Sequence, residues 1–189
     1  MLKKAGYHNA IISKEESDIE AADKLILPGV GHFDYGMTQL RAAAFYDMLN
    51  RKVLEEKKPI LGICLGAQLL TQGSEEGDMA GLGWIKAKTI KFRSEMMDSE
   101  LKIPHMGWGD ITIKKDSLLL KDLPEEPRFY FVHTYHIVCE NPADELVSGH
   151  YGYEFTAGVE SGNIMGVQFH PEKSHKYGLQ LLKNFIQYY

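Results

Sequence analysis

The stretch KKPILGICLGAQLLTQG, residues 57–73, decides how the chain is read. Pro59 to Ile63 is an apolar run of strand length, and it feeds directly into Cys64. A run of helix-forming residues then leads away from Leu65. Glycines stand two positions before and two positions after the cysteine, at Gly62 and Gly66. A residue at a sharp strand-to-helix corner sits in strained backbone and is crowded by its neighbours, and small residues at those offsets relieve the crowding. A helix starting near Leu65 would turn its first N–H groups toward the sulfur, which favours a thiolate. The Leu65 amide would then lie beside the sulfur as an oxyanion donor. A single cysteine of this kind is either a buried thiol or a nucleophile, and the rest of the chain has to decide between them.

Outward from this corner, the first half alternates strand and helix. KLILPG (24–29) reads as a buried strand ending in a Pro-Gly turn, as PILGI (59–63) reads as another. Between them, residues 35–58 carry Met37, Leu40, Ala44, Met48 and Leu49 at near-helical spacing, which predicts one helix. Such alternation predicts an α/β fold with a parallel sheet flanked by helices. The second half differs. WIKAKTIKF (84–92), DITIK (110–114), FYFVHTYHIVC (129–139), EFTAGVES (154–161) and IMGVQFH (164–170) are short, β-branched or aromatic runs separated by turn formers, and predict an antiparallel extension. YGLQLLKNFIQYY (177–189) closes the chain as a helix with Leu179, Leu182, Phe185 and Ile186 on one stripe. With no repeat or linker, residues 1–189 are expected to form one domain.

Bulk properties exclude several classes. Hydrophobic residues make up 44% and charged residues 25%, so the chain can build a core. A net charge of -5, with both signs interspersed, gives no nucleic-acid footprint and no polybasic membrane patch. Cys64 and Cys139 cannot make a disulfide framework or a Cys-x-x-Cys metal site. No apolar run reaches the roughly 18 residues of a membrane span. MLKKAGYHNA lacks the apolar centre of a signal peptide, so a cytoplasmic protein is expected.

A base for the cysteine lies in GVQFHPEKSH, residues 166–175. A thiol nucleophile needs an imidazole to carry its proton, and the imidazole needs an orienting carboxylate. His170 and Glu172 are separated by Pro171 alone, and positions i and i+2 of an extended chain face the same way. In LPGVGHF (27–33), Gly29 and Gly31 follow a strand and would let backbone N–H groups approach an oxyanion.

Taken together, these segments resemble the class I glutamine amidotransferases, at Gly62-Ile63-Cys64-Leu65-Gly66 and His170-Pro171-Glu172, over nearly the whole chain. The resemblance implies a flavodoxin-like, mixed and mainly parallel sheet with an antiparallel extension. It implies that Cys64 attacks the glutamine carboxamide to form a thioester, that His170 carries the proton, and that Glu172 orients it. Gln68 and the Thr134-Tyr135-His136 segment would contact L-glutamine. Gly29, Val30 and Gly31 would supply the second oxyanion donor, after a peptide reorientation on engaging a partner. No metal or organic cofactor is implied.

IPHMGWGD (103–110) and FYFVHTYH (129–136) narrow the resemblance to glutaminase subunits that pass ammonia to a (βα)8-barrel synthase subunit, as a heterodimer in histidine biosynthesis. Pro104, His105, Met106, Gly107, Trp108 and Lys173 would lie near that partner. Gly109, where such subunits usually carry Asn, and the 152–166 and 174–185 runs also resemble relatives that supply ammonia for amidino groups on bacterial surface sugars. The family normally opens with a strand and a turn ahead of its first helix, and MLKKAGYHNAIIS aligns with the end of that helix and the second strand. An N-terminal strand and part of the first helix are therefore expected to be missing, with an impaired or non-catalytic subunit as the corresponding alternative.

Overall fold

Pro59 and the buried run behind it become β2 (Ile60–Cys64), the strand on which the rest of the molecule is hung. The computed structural model describes residues 1–189. All five β2 residues are buried, because the strand carries neighbours on both edges and helices on both faces. β1 (Leu25–Gly29) pairs parallel to it on one side, with Leu25 opposite Ile60 and Gly29 opposite Cys64. On the other side β9 (Ile164–Val167) pairs in parallel, Gly62 opposite Gly166. This register brings the chain end that leads to His170 alongside the end of β2.

The sheet has nine strands and is mixed, with parallel pairing confined to β1, β2 and β9. From β9 it continues antiparallel through β8 (Tyr153–Ser161), β7 (Glu145–Tyr151), β4 (His105–Ile113) and β5 (Arg128–His133). β3 (Ala87–Lys91) and β6 (Tyr135–Cys139) form a side ladder joined to β8 at Ile137 and Thr156. The apolar run 129–139 is thus two strands broken at Thr134, which redirects the chain from β4 to β3. β7 carries no alternation in ELVSGHY, since Leu146, Val147, Ser148 and Gly149 are all buried; that is why the sequence does not announce it.

Alternation along β2 divides the core. Leu61 and Ile63 join a cluster with Phe129, Phe131, Phe169 and α5 (His175–Tyr188). Ile60 faces the opposite cluster, with Phe33, Met37 and Leu40 of α2 (Phe33–Ala42) and Leu65 and Leu69 of α4 (Leu65–Leu69). On α5 the buried stripe is Leu181, Leu182 and Phe185, with Leu179 and Ile186 only half-buried. The predicted helix over 35–58 is broken. α2 ends where Ala43 turns extended, α3 (Tyr46–Asn50) follows, and Arg51–Glu55 winds as a π-turn. That break lets Leu49 and Val53 reach the core. It also buries Lys52, whose ammonium pairs with Glu20 and Glu56 and so ties down α1 (Glu16–Ala21).

At the N-terminus, Leu2–Ala5 is a single 3-10 turn. The rest of MLKKAGYHNAIIS, where the second strand was expected, forms no strand, and Ile11 and Ile12 are exposed. β1 is the outermost strand of the sheet at this end.

Candidate functional site

Cys64 ends β2 and begins α4 with φ 53° and ψ −114°, a backbone conformation that side-chain-bearing residues rarely adopt. The flanking glycines make the corner possible, each by a different contact. A Cβ on Gly62 would lie 2.8 Å from the backbone of Gly66 and Ala67, the first turn of α4 itself. A Cβ on Gly66 would lie 1.8 Å from the carbonyl oxygen of Leu27 in β1. The glycine after the cysteine therefore serves the packing of the corner on the neighbouring strand, rather than the space around the sulfur.

His170 follows β9 and is anchored to β5, its backbone N–H donating to the Tyr130 carbonyl at 2.9 Å. The Ser174 hydroxyl donates to the His170 carbonyl at 2.6 Å and accepts the Tyr130 N–H at 3.0 Å, closing the loop on itself. Nδ1 of His170 lies 2.7 Å from Oε1 of Glu172. The pair does not form across an extended strand. Pro171–Lys173 is a 3-10 turn, and the turn swings Glu172 back under the ring. Nε2 of His170 is buried and has no hydrogen-bond partner of regular geometry. The Cys64 sulfur is the group beside it that acts most strongly on the ring. Cys64 first, and Glu172 second, raise the imidazole to about 9 against the opposing effect of burial. Burial pushes the Glu172 carboxyl up, but the His170 hydrogen bond and charge outweigh it and leave it below the usual range. The arrangement at neutral pH is an imidazolium poised between a carboxylate and a sulfur, the setting of an acyl-transfer nucleophile with its acid.

Gln68, one turn into the helix, is buried, and its Nε2 donates to the Tyr135 carbonyl at 3.2 Å. This contact brings the expected substrate-binding segment onto the nucleophile helix. Within that segment the His136 ring turns away, its Nε2 accepting from the Tyr153 hydroxyl at 3.0 Å, and the Thr134 carbonyl accepts the Phe92 N–H at 3.1 Å. Gly29 packs against the Gly66 amide, where a Cβ would come within 2.9 Å. Beyond it Val30 is 79% exposed and Gly31 has φ +100°. Leu65 is buried at the start of α4.

Of the residues expected near a partner, Met106 and Trp108 point outward from β4, and Trp108 stacks on His175 with centroids 5.5 Å apart. Pro104 is exposed, Gly107 is half-buried, and the Lys173 ammonium lies over the Tyr130 ring. His105 turns inward instead. It is sandwiched between Phe131 and Tyr151 at centroid distances of 4.8 and 4.1 Å, and its Nδ1 lies 3.1 Å from Nε2 of His133. Burial lowers His105 to about 4 and His133 to about 3, so both are neutral at pH 7. One residue close to Cys64 has no motif of its own in the sequence. Gln168 is fully buried, and its only signal is the two-residue spacing that puts it on the same side as His170.

Comparison with known proteins gives the same outline. A family model described as glutamine amidotransferase class-I matches residues 2–188. The chain is 51% identical over 187 residues to a protein of Methanococcus maripaludis named imidazole glycerol phosphate synthase subunit HisH 2, covering 99% of this chain and 91% of that one. A protein of the same name from Pseudomonas aeruginosa is 47% identical with the same coverage, and a HisH subunit of Leptospira borgpetersenii is 43% identical over 185 residues, covering 98% and 90%. Among solved structures, one titled as a glutamine amidotransferase superposes with a TM-score of 0.68 at 20% identity, covering 98% of this chain and 88% of that one.

Proposed function

This chain belongs to the class I glutamine amidotransferases, and from that premise we infer that it is the glutaminase subunit of an imidazole glycerol phosphate synthase, an enzyme of histidine biosynthesis. The observation that carries the reading is the corner at Cys64 set against His170, whose buried Nε2 has no other partner and whose Nδ1 is held by Glu172.

We propose the following division of work. Cys64 attacks the carboxamide carbon of L-glutamine while the Leu65 amide and the Gly29–Gly31 loop receive the developing oxyanion. The His170 imidazolium protonates the departing nitrogen, so ammonia leaves and a thioester remains. Water, deprotonated by the now neutral His170, attacks the thioester and releases glutamate, returning the proton to the ring. Glu172 holds the ring orientation through both steps, Gln68 contacts the substrate, and the backbone of the 134–136 segment holds its amino-acid end. Ammonia passes to a (βα)8-barrel cyclase subunit docked over Met106, Trp108 and Lys173, and we place the pair in the cytoplasm. Glutamate release from glutamine, measured with and without that partner, tests the reading. Wild type should release glutamate, faster with the partner, and Cys64→Ala should not; equal release by the variant rejects it.

A further inference from the structure

The hydrogen bonds around Cys64 have a fixed polarity, and one carbonyl sets it. The Tyr135 carbonyl can only accept, so the atom of Gln68 that lies 3.2 Å away must be its amide nitrogen. The second hydrogen of that nitrogen points to Gln168 at 3.0 Å, and the atom meeting it must be an oxygen. Gln168 therefore turns its own amide nitrogen the other way, where it lies 3.8 Å from the Cys64 sulfur. The same carbonyl takes Nδ1–H of His133 at 2.8 Å, which leaves Nε2 of that ring to accept from His105. No amide in the series is free to flip. Both N–H groups of Gln68 are consumed, so its oxygen is the only polar atom of that side chain left for a ligand.

Gln168 is fully buried, and its backbone is pinned by N–H donation to Ala157 at 2.9 Å. It stands two residues before His170, so one short segment places two groups beside the sulfur. An N–H donor beside a sulfur that carries negative charge stabilises that charge more than a neutral bond does.

We propose that Gln168 is a further catalytic residue of this site: its amide N–H supports the negative charge that returns to the Cys64 sulfur as water displaces it from the thioester, while its amide oxygen holds Gln68 with the acceptor face toward glutamine. The proposal rests on the glutaminase reading. It assigns two separable jobs to one side chain, the sulfur contact acting on kcat and the hold on Gln68 acting on KM.

The test is steady-state glutamate release by the complex with its synthase partner, for Gln168→Met, Gln68→Met, the double variant and Gln168→Glu. Gln168→Met should lower kcat by about tenfold and raise KM severalfold. Gln68→Met should raise KM with a smaller effect on kcat, and the double variant should have a KM no higher than Gln68→Met alone, because the two amides act through one contact. Gln168→Glu keeps an oxygen for the Gln68 amide and should keep KM within about twofold of wild type. Multiplying KM effects in the double variant, or an unchanged kcat in Gln168→Met, overturns the proposal. If Gln168→Met does not fold, Gln168→Asn, too short to reach Gln68, is judged by the same criteria. A wild-type complex whose glutamate release survives Cys64→Ala would instead reject the glutaminase reading itself.

Discussion

Oε1 of Glu172 sits 2.7 Å from Nδ1 of His170 because the chain turns at Pro171, so the carboxylate lies in the 3-10 turn that the ring's own residue caps. The turn also explains how a carboxylate that is itself partly exposed can hold a buried ring: the backbone fixes the approach, and the side chain has little freedom left to lose.

Glutaminase activity should therefore have an alkaline limb near pH 9, where His170 loses the proton it must give to the departing ammonia. Glu172→Gln removes the second largest support of that protonation. The limb should move to lower pH and kcat should fall by at least about 100-fold. A pH–rate profile of the two proteins measures both effects, and a limb that stays in place refutes the assignment.

The same group contributes to folding with a definite sign. The folded ring holds its proton to about 9, whereas an unfolded histidine releases it near 6.5. Unfolding thus releases a proton between those values, and the stabilisation is full below 6.5 and lost as pH rises through 9. His105 has the opposite sign. Its pKa falls to about 4 on burial, so its contribution is present above 6.5 and is lost as pH drops toward 4. In His105→Phe, which preserves the stack between Phe131 and Tyr151, urea unfolding at pH 7 and pH 5 should differ less than in wild type. An equal difference in the two proteins counts against this account.

Gly66→Ala should destabilise the chain by about 3 kcal/mol or more, since no flexible side chain can yield to the new methyl. The opposing atom is the Leu27 carbonyl, part of the β1 backbone, and relief requires β1 to separate from the corner. Equilibrium unfolding measures the loss. A variant as stable as wild type would mean that the corner and β1 are not packed as described.

Trp108→Ala should weaken association with the synthase subunit by about tenfold, as expected for an exposed aromatic anchor, while the unfolding midpoint of the isolated chain changes little. Titration calorimetry of the two subunits decides it. Unchanged affinity would move the docking surface elsewhere.

Much of this was legible in the residues. Cys64 between two glycines, and His170 beside Glu172, pointed to a thiol with a base and an orienter because that chemistry needs those types at those offsets, and the structure brings Glu172 to 2.7 Å from the His170 ring. β2 was legible because it is buried on both faces and reads as an unbroken apolar run. β7 was not, because a strand buried through Ser148 and Gly149 shows neither alternation nor an apolar run. The break after α2 was equally silent, since Ala43 and Ala44 suit a helix and only the need to bring Leu49 and Val53 to the core ends it. Gln168 was hidden for another reason: its significance lies in which way its amide faces, and that is decided by a backbone carbonyl more than 30 positions earlier.

The close approach of Gly66 to Leu27, together with that of Gly29 to the Gly66 amide, has a mechanical consequence. The last residues of β1 and the nucleophile corner form a single locked block, so neither can tilt without the other. If the oxyanion loop rearranges when a partner docks, its hinge lies past Gly29, at Val30, which is exposed, and Gly31, whose φ of +100° glycine adopts without strain. A partner pressing on this loop would swing one peptide against an anvil that does not give, and the sulfur would stay where it is.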